Sequence, residues 1–217
     1  MASKSATTML IDLIRHGEPE GGRKFRGHRD DPLSATGWHQ MTQAVSGPAP
    51  WDAIVSSPLK RCREFAERLA EQQGLPVTID AGFKEISFGD WEGLTWEAVI
   101  ERFGQQALDN FWRNPIDHPP SSGEPFLEFR QRVLRAWADL TERVGGQRIL
   151  VVAHGGVIRT ILGEVMGIPP ERTMGAVAVP FACLSRVRID VSEYGSLACL
   201  ERHGIADSDK PVQSNQG

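Results

Sequence analysis

Two apolar runs that each stop at a histidine constrain the fold most strongly. Residues 9–14 (MLIDLI) are followed by Arg15 and His16, and residues 148–153 (RILVVA) are followed by His154. Runs that are apolar without regular alternation predict strands buried on both faces, which is typical of parallel sheets. Polar residues that follow such strands gather at the carboxyl edge of the sheet. We therefore expect the two histidines to lie near each other.

Strand and helix patterns alternate along the rest of the chain. Further strands are predicted at 52–56 and 76–79, with a closing hairpin at 181–189 and 197–202. Helices are predicted to begin near Ser34, as an N-cap, and near Pro58, and to cover 95–103, 124–144 and 157–166. The region 83–125 otherwise has an irregular pattern. This alternation predicts an α/β sandwich with a largely parallel sheet.

Length and composition indicate one globular domain. The chain has 217 residues, of which 40% are hydrophobic, and no internal repeat or linker divides it. We expect a single domain over residues 1–206 and a polar, disordered tail over 207–217. The formal net charge of -4 argues against a nucleic-acid partner, because such proteins usually present a basic surface.

Cysteine content and hydropathy predict the compartment. The 3 cysteines have no paired spacing, so neither a disulfide framework nor a zinc ribbon is indicated. The N-terminus lacks the apolar stretch of a signal peptide, and no later stretch reaches a membrane-spanning length. A cytoplasmic location and no membrane partner are the expectation; the oligomeric state is left open.

The residues at the strand ends have the chemistry of phosphoryl transfer. A neutral histidine attacks phosphorus through one ring nitrogen while the other is held as a donor, and His16 is the candidate. The transferred group spreads negative charge over its oxygens, so the site needs fixed cations, for which the forked guanidinium is well suited. Arg15 and Arg61 are the candidates for these cations.

A carboxyl group is needed to protonate the leaving oxygen and then to activate water. Glu85 is the first candidate, since its apolar neighbours and the glycine-rich turn after it would partly desolvate it. Glu18 and Glu92 are nearby alternatives. The chain has no G-x-S-x-G elbow, no P-loop and no zinc-binding motif, and its 6 histidines are scattered, so a reaction without metal or cofactor is expected.

Four phrases occur in this order along the chain: residues 13–18 (LIRHGE), 56–62 (SSPLKRC), 83–93 (FKEISFGDWEG) and 152–156 (VAHGG). Together they resemble the histidine phosphatase superfamily, also called phosphoglycerate mutase-like, over residues 9 to about 189. The resemblance implies a three-layer sandwich with helices on both faces of the sheet.

The resemblance also implies roles for the matched residues. His16 would be the phosphorylated nucleophile and Glu85 the proton donor. The phosphate pocket would consist of Arg15, Arg61, His154 and the adjoining Gly155. Many members carry a phosphate-binding asparagine shortly after the nucleophile, where this chain has Gly21-Gly22, so a backbone N–H of Gly22 is expected to replace it.

Within the superfamily, a further set of phrases is most similar to α-ribazole phosphatases: 27–33 (GHRDDPL), 88–93 (FGDWEG), 122–124 (SGE) with Phe126 and Phe129, and 149–154 (ILVVAH). That similarity implies a small-molecule substrate, α-ribazole 5′-phosphate or an adenosylcobamide phosphate. Three alternatives stay open, because fold does not settle substrate. They are a broad-specificity sugar or metabolite phosphatase, a phosphoglycerate mutase, and a catalytically silent module that binds a phosphorylated ligand.

Three further groups have two interpretations each. Glu124 either contacts substrate at the rim of the site or favours the start of a helix through its dipole. The basic residues Arg23, Lys24, Arg26 and Arg29 would guide an anionic substrate or form a solvated loop, and the loop is favoured. Trp91, Trp96 and Trp112 would form an aromatic wall or pack in the core, and core packing is favoured.

Overall fold

A mixed sheet runs through the described part of the chain, residues 7–46 and 50–204, in this computed structural model. The strands are β1 (Thr7–Arg15), β2 (Ala53–Ser56), β3 (Val77–Ile79), β4 (Arg148–Ala153), β5 (Leu184–Ser192) and β6 (Gly195–Gly204). Their order in the sheet is β3-β2-β4-β1-β5-β6. Strands β1 to β4 are parallel, whereas β5 pairs antiparallel with both of its neighbours. The sheet is therefore largely parallel, as predicted.

Helices cover both faces of this sheet. They are α1 (Ala35–Ala44), α2 (Lys60–Gln73), α3 (Trp96–Phe103), α4 (Gln105–Arg113), α5 (Phe126–Arg143), α6 (Gly155–Val165) and α7 (Thr173–Ala176). Successive side chains of a strand point to opposite faces. In β4, Ile149 and Val151 pack into one core with α3 to α7, while Leu150 and Val152 pack into a second core with α1 and α2. This arrangement confirms the three-layer sandwich.

The one charged residue in the first apolar run, Asp12, is paired inside the protein. It is 2% exposed. Its carboxylate accepts two hydrogen bonds of 2.8 Å from Arg186 of β5 and one of 2.8 Å from the indole N–H of Trp51. A buried charge is tolerated only when it is paired and hydrogen-bonded. Asp12 therefore links β1 to β5 through an ion pair, and the strand stays buried.

Several element boundaries match the predictions. Strand β4 covers the predicted residues, and the Ser34 hydroxyl accepts a hydrogen bond of 3.0 Å from the N–H of Gly37 as the predicted N-cap of α1. The closing hairpin begins later than predicted, because Ala182 has a positive φ of 55° and forms a turn before β5. Helix α2 begins at Lys60, so Pro58 lies ahead of its first turn and not within it.

Helix α4 is, with the short α7, one of two helices that the sequence patterns did not predict. Its residues fall in the region expected to be irregular. Gly104 has a φ of 85° and separates α3 from α4, so one helix ends and the next begins at a single residue. Left-handed backbone of this kind is accessible to glycine at little cost.

Two findings apply only to the described residues. None of their helices combines the length with the apolar character that crossing a bilayer requires. Nor do three or more His, Cys, Asp or Glu side chains come together there as a group able to hold a metal ion. The predicted domain end at residue 206 and the predicted disordered tail, 207–217, lie outside the described residues.

Candidate active site

The carboxyl ends of β1 and β4 bring the two predicted histidines together. Arg15 at the end of β1 is in register with Ala153 at the end of β4, and the N–H of His16 donates to the Ala153 carbonyl at 3.0 Å. The rings of His16 and His154 lie with centroids 5.2 Å apart at an interplanar angle of 65°. The expected juxtaposition is therefore present.

A cavity of about 430 Å³ opens at this edge of the sheet. Its walls include five of the predicted site residues: Arg15, His16, Arg61, Glu85 and Gly155. His154 is fully buried and lies behind His16, away from the wall. Three predicted residues thus lie off the wall, His154, Gly22 and Glu124, and the others meet in one space.

His16 has the protonation and orientation of a nucleophile. Its Nδ1 lies 2.8 Å from the carbonyl oxygen of Gly17. Because a carbonyl only accepts, Nδ1 carries the hydrogen and Nε2 keeps its lone pair. Burial, reinforced by the charges of Arg61 and Arg15, lowers the pKa of His16 well below its ordinary value. The imidazole is therefore neutral at neutral pH.

Arg61 is a buried cation held by backbone oxygens. It lies in the first turn of α2, is 1% exposed, and donates to the carbonyls of Arg29 at 2.7 Å and Gly27 at 2.9 Å. Its Nε is buried and has no partner among the described residues. Burial lowers the pKa of Arg61. An oxyanion in the cavity would satisfy this remaining donor.

Arg15 directly precedes His16 and lines the same cavity. Its guanidinium donates to the Val179 carbonyl and lies 4.4 Å from the centre of the Phe181 ring. Its Nε is also buried without a partner in the described part of the chain. Burial, together with the charge of Arg159, lowers the pKa of Arg15 to about 10, so the side chain remains a cation at neutral pH. Two anchored guanidiniums thus line the same cavity as His16.

His154 is held by residues of the 56–62 phrase. Its Nε2 is 2.6 Å from the Ser57 hydroxyl and 3.6 Å from the Cys62 sulfur. Burial, with the charges of Arg61 and His16, lowers its pKa well below the ordinary value. Ser57 and Cys62 belong to the sequence phrase 56–62, but no role was predicted for them. Direct contact between His154 and phosphate stays a prediction.

Glu85 provides the carboxylate of the cavity wall. It is 8% exposed, and it accepts hydrogen bonds of 3.1 Å from the N–H groups of Gly156 and Ile86. A Cβ at Gly156 would lie 2.4 Å from Glu85 Oε1, so this approach to the start of α6 requires glycine. No other carboxylate of the described residues lines the cavity.

The alternative carboxylate Glu92 has a structural role instead. Its Oε1 accepts from the backbone N–H groups of His28 at 2.9 Å and Phe88 at 3.1 Å, and from the Ser87 hydroxyl at 3.0 Å. It therefore joins the loop before α1 to the turn after Glu85. Glu18, the other alternative, also lies off the cavity wall.

An ion pair supports the backbone that carries Glu85. Arg132 of α5 donates to the carbonyls of Lys84 at 2.6 Å and Glu85 at 2.9 Å, and its Nε donates to Glu124 at 2.7 Å. Glu124 also accepts from the N–H of Ser87 at 3.3 Å. Glu124 lies off the cavity wall and its carboxylate supports the loop through Arg132, so its contact with substrate stays a prediction.

The loop that precedes α1 differs from its prediction at two points. Gly22 lies off the cavity wall, and its carbonyl accepts a hydrogen bond from Arg26 at 2.7 Å. The predicted contact between the backbone N–H of Gly22 and phosphate, in place of an asparagine contact, is therefore not seen in this geometry. Arg23, Lys24 and Arg26 line the cavity, and Arg26 is 5% exposed and paired with Asp31 at 3.1 Å. The favoured interpretation as a solvated loop is therefore wrong for Arg26, whereas Arg23, Lys24 and Arg29 are exposed as that interpretation expects, the first two at the cavity.

The three tryptophans divide between core and cavity. Trp91 is 2% exposed and packs in the core, as favoured, whereas Trp96 and Trp112 line the cavity. Arg159 of α6 also lines the cavity and was not predicted. Its only signal in the sequence is its position one helical turn after Gly155, on the same face of the helix.

Comparisons with known proteins agree with this geometry. The family model described as "Histidine phosphatase superfamily (branch 1)" matches residues 11–199. The chain is 34% identical to "Uncharacterized phosphatase PhoE" of Bacillus subtilis (strain 168), over 82% of this chain and 86% of that protein. It is 32% identical to "Adenosylcobalamin/alpha-ribazole phosphatase" of Escherichia coli (strain K12), over 91% of this chain and 98% of that protein.

A solved structure extends the similarity to three dimensions. The crystal structure of a putative alpha-ribazole-5′-P phosphatase from Escherichia coli superposes with a TM-score of 0.75 and 31% identity, covering 91% of this chain and 96% of that one. The matched region includes both strand-end histidines, Arg61 and Glu85. The chain belongs to branch 1 of the histidine phosphatase superfamily.

Proposed function

We propose that this protein hydrolyses small-molecule phosphomonoesters through a phosphohistidine intermediate on His16. One observation carries the proposal: a neutral imidazole with Nε2 free lines the same cavity as two guanidiniums, the buried Arg61 and the half-buried Arg15, each with a buried Nε that has no partner among the described residues. That combination fits attack on a dianionic phosphoryl group, because the nucleophile is uncharged and the cations are fixed.

The geometry supports a reaction in two steps. Nε2 of His16 forms a bond to phosphorus while the ester oxygen departs, taking a proton from the Glu85 carboxyl. The Glu85 carboxylate then removes a proton from water, which attacks phosphorus, breaks the phosphorus–nitrogen bond and releases inorganic phosphate. Arg15 and Arg61 stabilise the negative charge on the equatorial oxygens in both steps.

For the substrate we propose α-ribazole 5′-phosphate or an adenosylcobamide phosphate. The Escherichia coli relative that supports this choice carries the name of that activity and is matched over 98% of its length. The Bacillus subtilis relative, which is 34% identical, has no named substrate, so broader phosphatase specificity is the alternative to test.

The test is phosphate release from α-ribazole 5′-phosphate, p-nitrophenyl phosphate, 3-phosphoglycerate and fructose phosphates, with EDTA present. His16→Ala is compared with His39→Ala, which removes an exposed histidine of α1. We expect an acid-labile phosphoenzyme and phosphate release in the native chain and in His39→Ala, and neither in His16→Ala.

A preference for α-ribazole 5′-phosphate would support the proposed substrate. A preference for another ester would replace that substrate and leave the proposed mechanism unchanged. Turnover of 3-phosphoglycerate that requires 2,3-bisphosphoglycerate would identify a mutase instead. Activity that survives in His16→Ala would exclude His16 as the nucleophile, and loss of activity in EDTA would show that a metal takes part.

A further inference from the structure

Beyond the phosphate pocket, the cavity is lined by an aromatic wall of Trp96, Trp112 and Phe25. The rings of Trp96 and Trp112 are stacked, with centroids 5.4 Å apart and an interplanar angle of 6°. Phe25 extends the wall, with its centroid 5.3 Å from that of Trp96. All three side chains line the cavity that contains His16. The wall is therefore open to whatever group is attached to a bound phosphate.

The wall begins one side chain away from the phosphate pocket. The Arg159 guanidinium lies 5.4 Å from the centre of the Trp112 ring. A Cβ at Gly155 would be 2.9 Å from Arg159 Nη1 and 3.5 Å from Arg15 Nε, so the two guanidiniums meet at this glycine. The phosphate pocket and the aromatic wall are therefore adjacent parts of one cavity.

Two features distinguish this wall from ordinary core packing. Trp96 is 42% exposed, although it is a large apolar side chain with core residues nearby. The indole N–H of Trp112 is buried and finds no hydrogen-bond partner among the described residues. A ligand that stacked on Trp96 would remove its ring from water, and an acceptor on that ligand would satisfy the Trp112 donor.

We propose that Trp96 and Trp112 form a leaving-group subsite that selects phosphomonoesters with a planar aromatic ring. Stacked aromatic faces prefer another flat π-system to a saturated ring of similar size. The proposal rests on the proposed phosphatase function, and it does not depend on α-ribazole 5′-phosphate being the substrate.

The experiment compares benzyl phosphate with cyclohexylmethyl phosphate. Both release a primary alkoxide, so the chemistry is matched, and the saturated ring is the more apolar of the two. A pocket that is merely apolar would therefore favour cyclohexylmethyl phosphate. We expect kcat/KM of the native protein to favour benzyl phosphate by about fivefold.

Variants then assign this preference to the wall. Trp96→Leu is expected to reduce the ratio of the two kcat/KM values to about one or below, while Trp96→Phe, which keeps a flat ring, retains part of it. Trp38→Leu is the matched control, because Trp38 lies on α1 outside this cavity. A native ratio of one or below, or a ratio unchanged in Trp96→Leu, would overturn the subsite.

Binding separates this proposal from the phosphatase function. The non-hydrolysable benzylphosphonate and cyclohexylmethylphosphonate are titrated into the native protein by calorimetry. Tighter binding of the benzyl compound that is lost in Trp96→Leu supports the subsite even if no ester is hydrolysed. Equal affinities overturn it even if phosphatase activity is found.

Discussion

The phosphate pocket and the aromatic wall share one cavity but are built in different ways. In the pocket, His16 is 5% exposed and Arg61 is 1% exposed, and both follow parallel strands of the sheet. On the wall, Trp96 is 42% exposed and belongs to a pair of short helices outside the sheet. The proposed reacting groups thus follow strands of the sheet, which is the most constrained part of the fold. The side chains proposed to contact the leaving group belong to helices outside the sheet.

The difference has a physical cause. Backbone hydrogen bonds fix the register of β1 against β4, so the residue after each strand has little freedom. Helices α3 and α4 reach the core through side chains such as Val99 and Phe111. Such packing tolerates substitution and small shifts more easily than a strand register does. We therefore expect substitutions in the wall to change substrate preference, and substitutions in the pocket to change the rate of the chemical step.

The largest effect that tests this comparison is expected from Arg61→Gln. The variant removes a buried cation beside His16, and we expect kcat to fall by about 10²- to 10³-fold, as for loss of one preorganised donor. Steady-state kinetics with benzyl phosphate measures the loss, and circular dichroism checks the fold. A loss below about tenfold would mean that the pocket does not depend on this guanidinium.

Glu85→Gln is expected to have the next largest effect, and one that depends on the leaving group. The variant cannot donate a proton, so turnover of benzyl phosphate should fall by about 10²-fold. Turnover of p-nitrophenyl phosphate should fall much less, because its phenolate leaves without protonation. Glu128→Gln, at an exposed position on α5, is the control. Equal losses on both esters would contradict the assignment of Glu85 as proton donor.

Stability should depend on pH through the two pocket histidines. Burial lowers the pKa of both His16 and His154, so the unfolded chain binds protons at a higher pH than the folded one. Stability is therefore complete above the unfolded pKa of about 6.5 and falls as the pH drops below it, by about 1.4 kcal/mol per histidine at about pH 5.5. Urea denaturation at about pH 7.5 and 5.5 measures this change.

The same experiment on His154→Gln gives the contribution of one histidine. The loss of stability between the two pH values should be smaller by about 1.4 kcal/mol, because of the two pocket histidines only His16 then remains to be protonated on unfolding. A pH dependence identical to that of the native chain would show that His154 is not neutral in the fold.

The smallest effect is expected at the exposed rim of the cavity. Arg23 lines the cavity but is exposed, so Arg23→Gln should lower kcat/KM only about threefold at low ionic strength. The effect should disappear at about 0.5 M salt, because screening suppresses interactions between exposed charges. An effect of Arg23→Gln that is independent of salt would indicate direct contact with the substrate.

Local patterns were sufficient to predict which residues meet at the ends of β1 and β4. The apolar runs before His16 and His154 identified two buried strands, and parallel strands bring such residues to one edge. The same reasoning did not find Arg159, because a single arginine in a helix resembles any solvated one. Glu124 and Gly22, which it considered as substrate contacts, lie off the cavity wall and bind Arg132 and Arg26.

The sequence by itself determined the order of the strands and of most helices, the three-layer sandwich and which histidines and arginines meet at the strand ends. These follow from periodicity and from residue chemistry at strand ends, both of which are local. Only the tertiary structure decided which carboxylate and which basic side chains line the cavity. It also decided that Trp96 and Trp112 stack within the cavity while Trp91 is buried in the core. Those outcomes depend on contacts between residues far apart in the chain, and no local pattern encodes the direction in which such a side chain points.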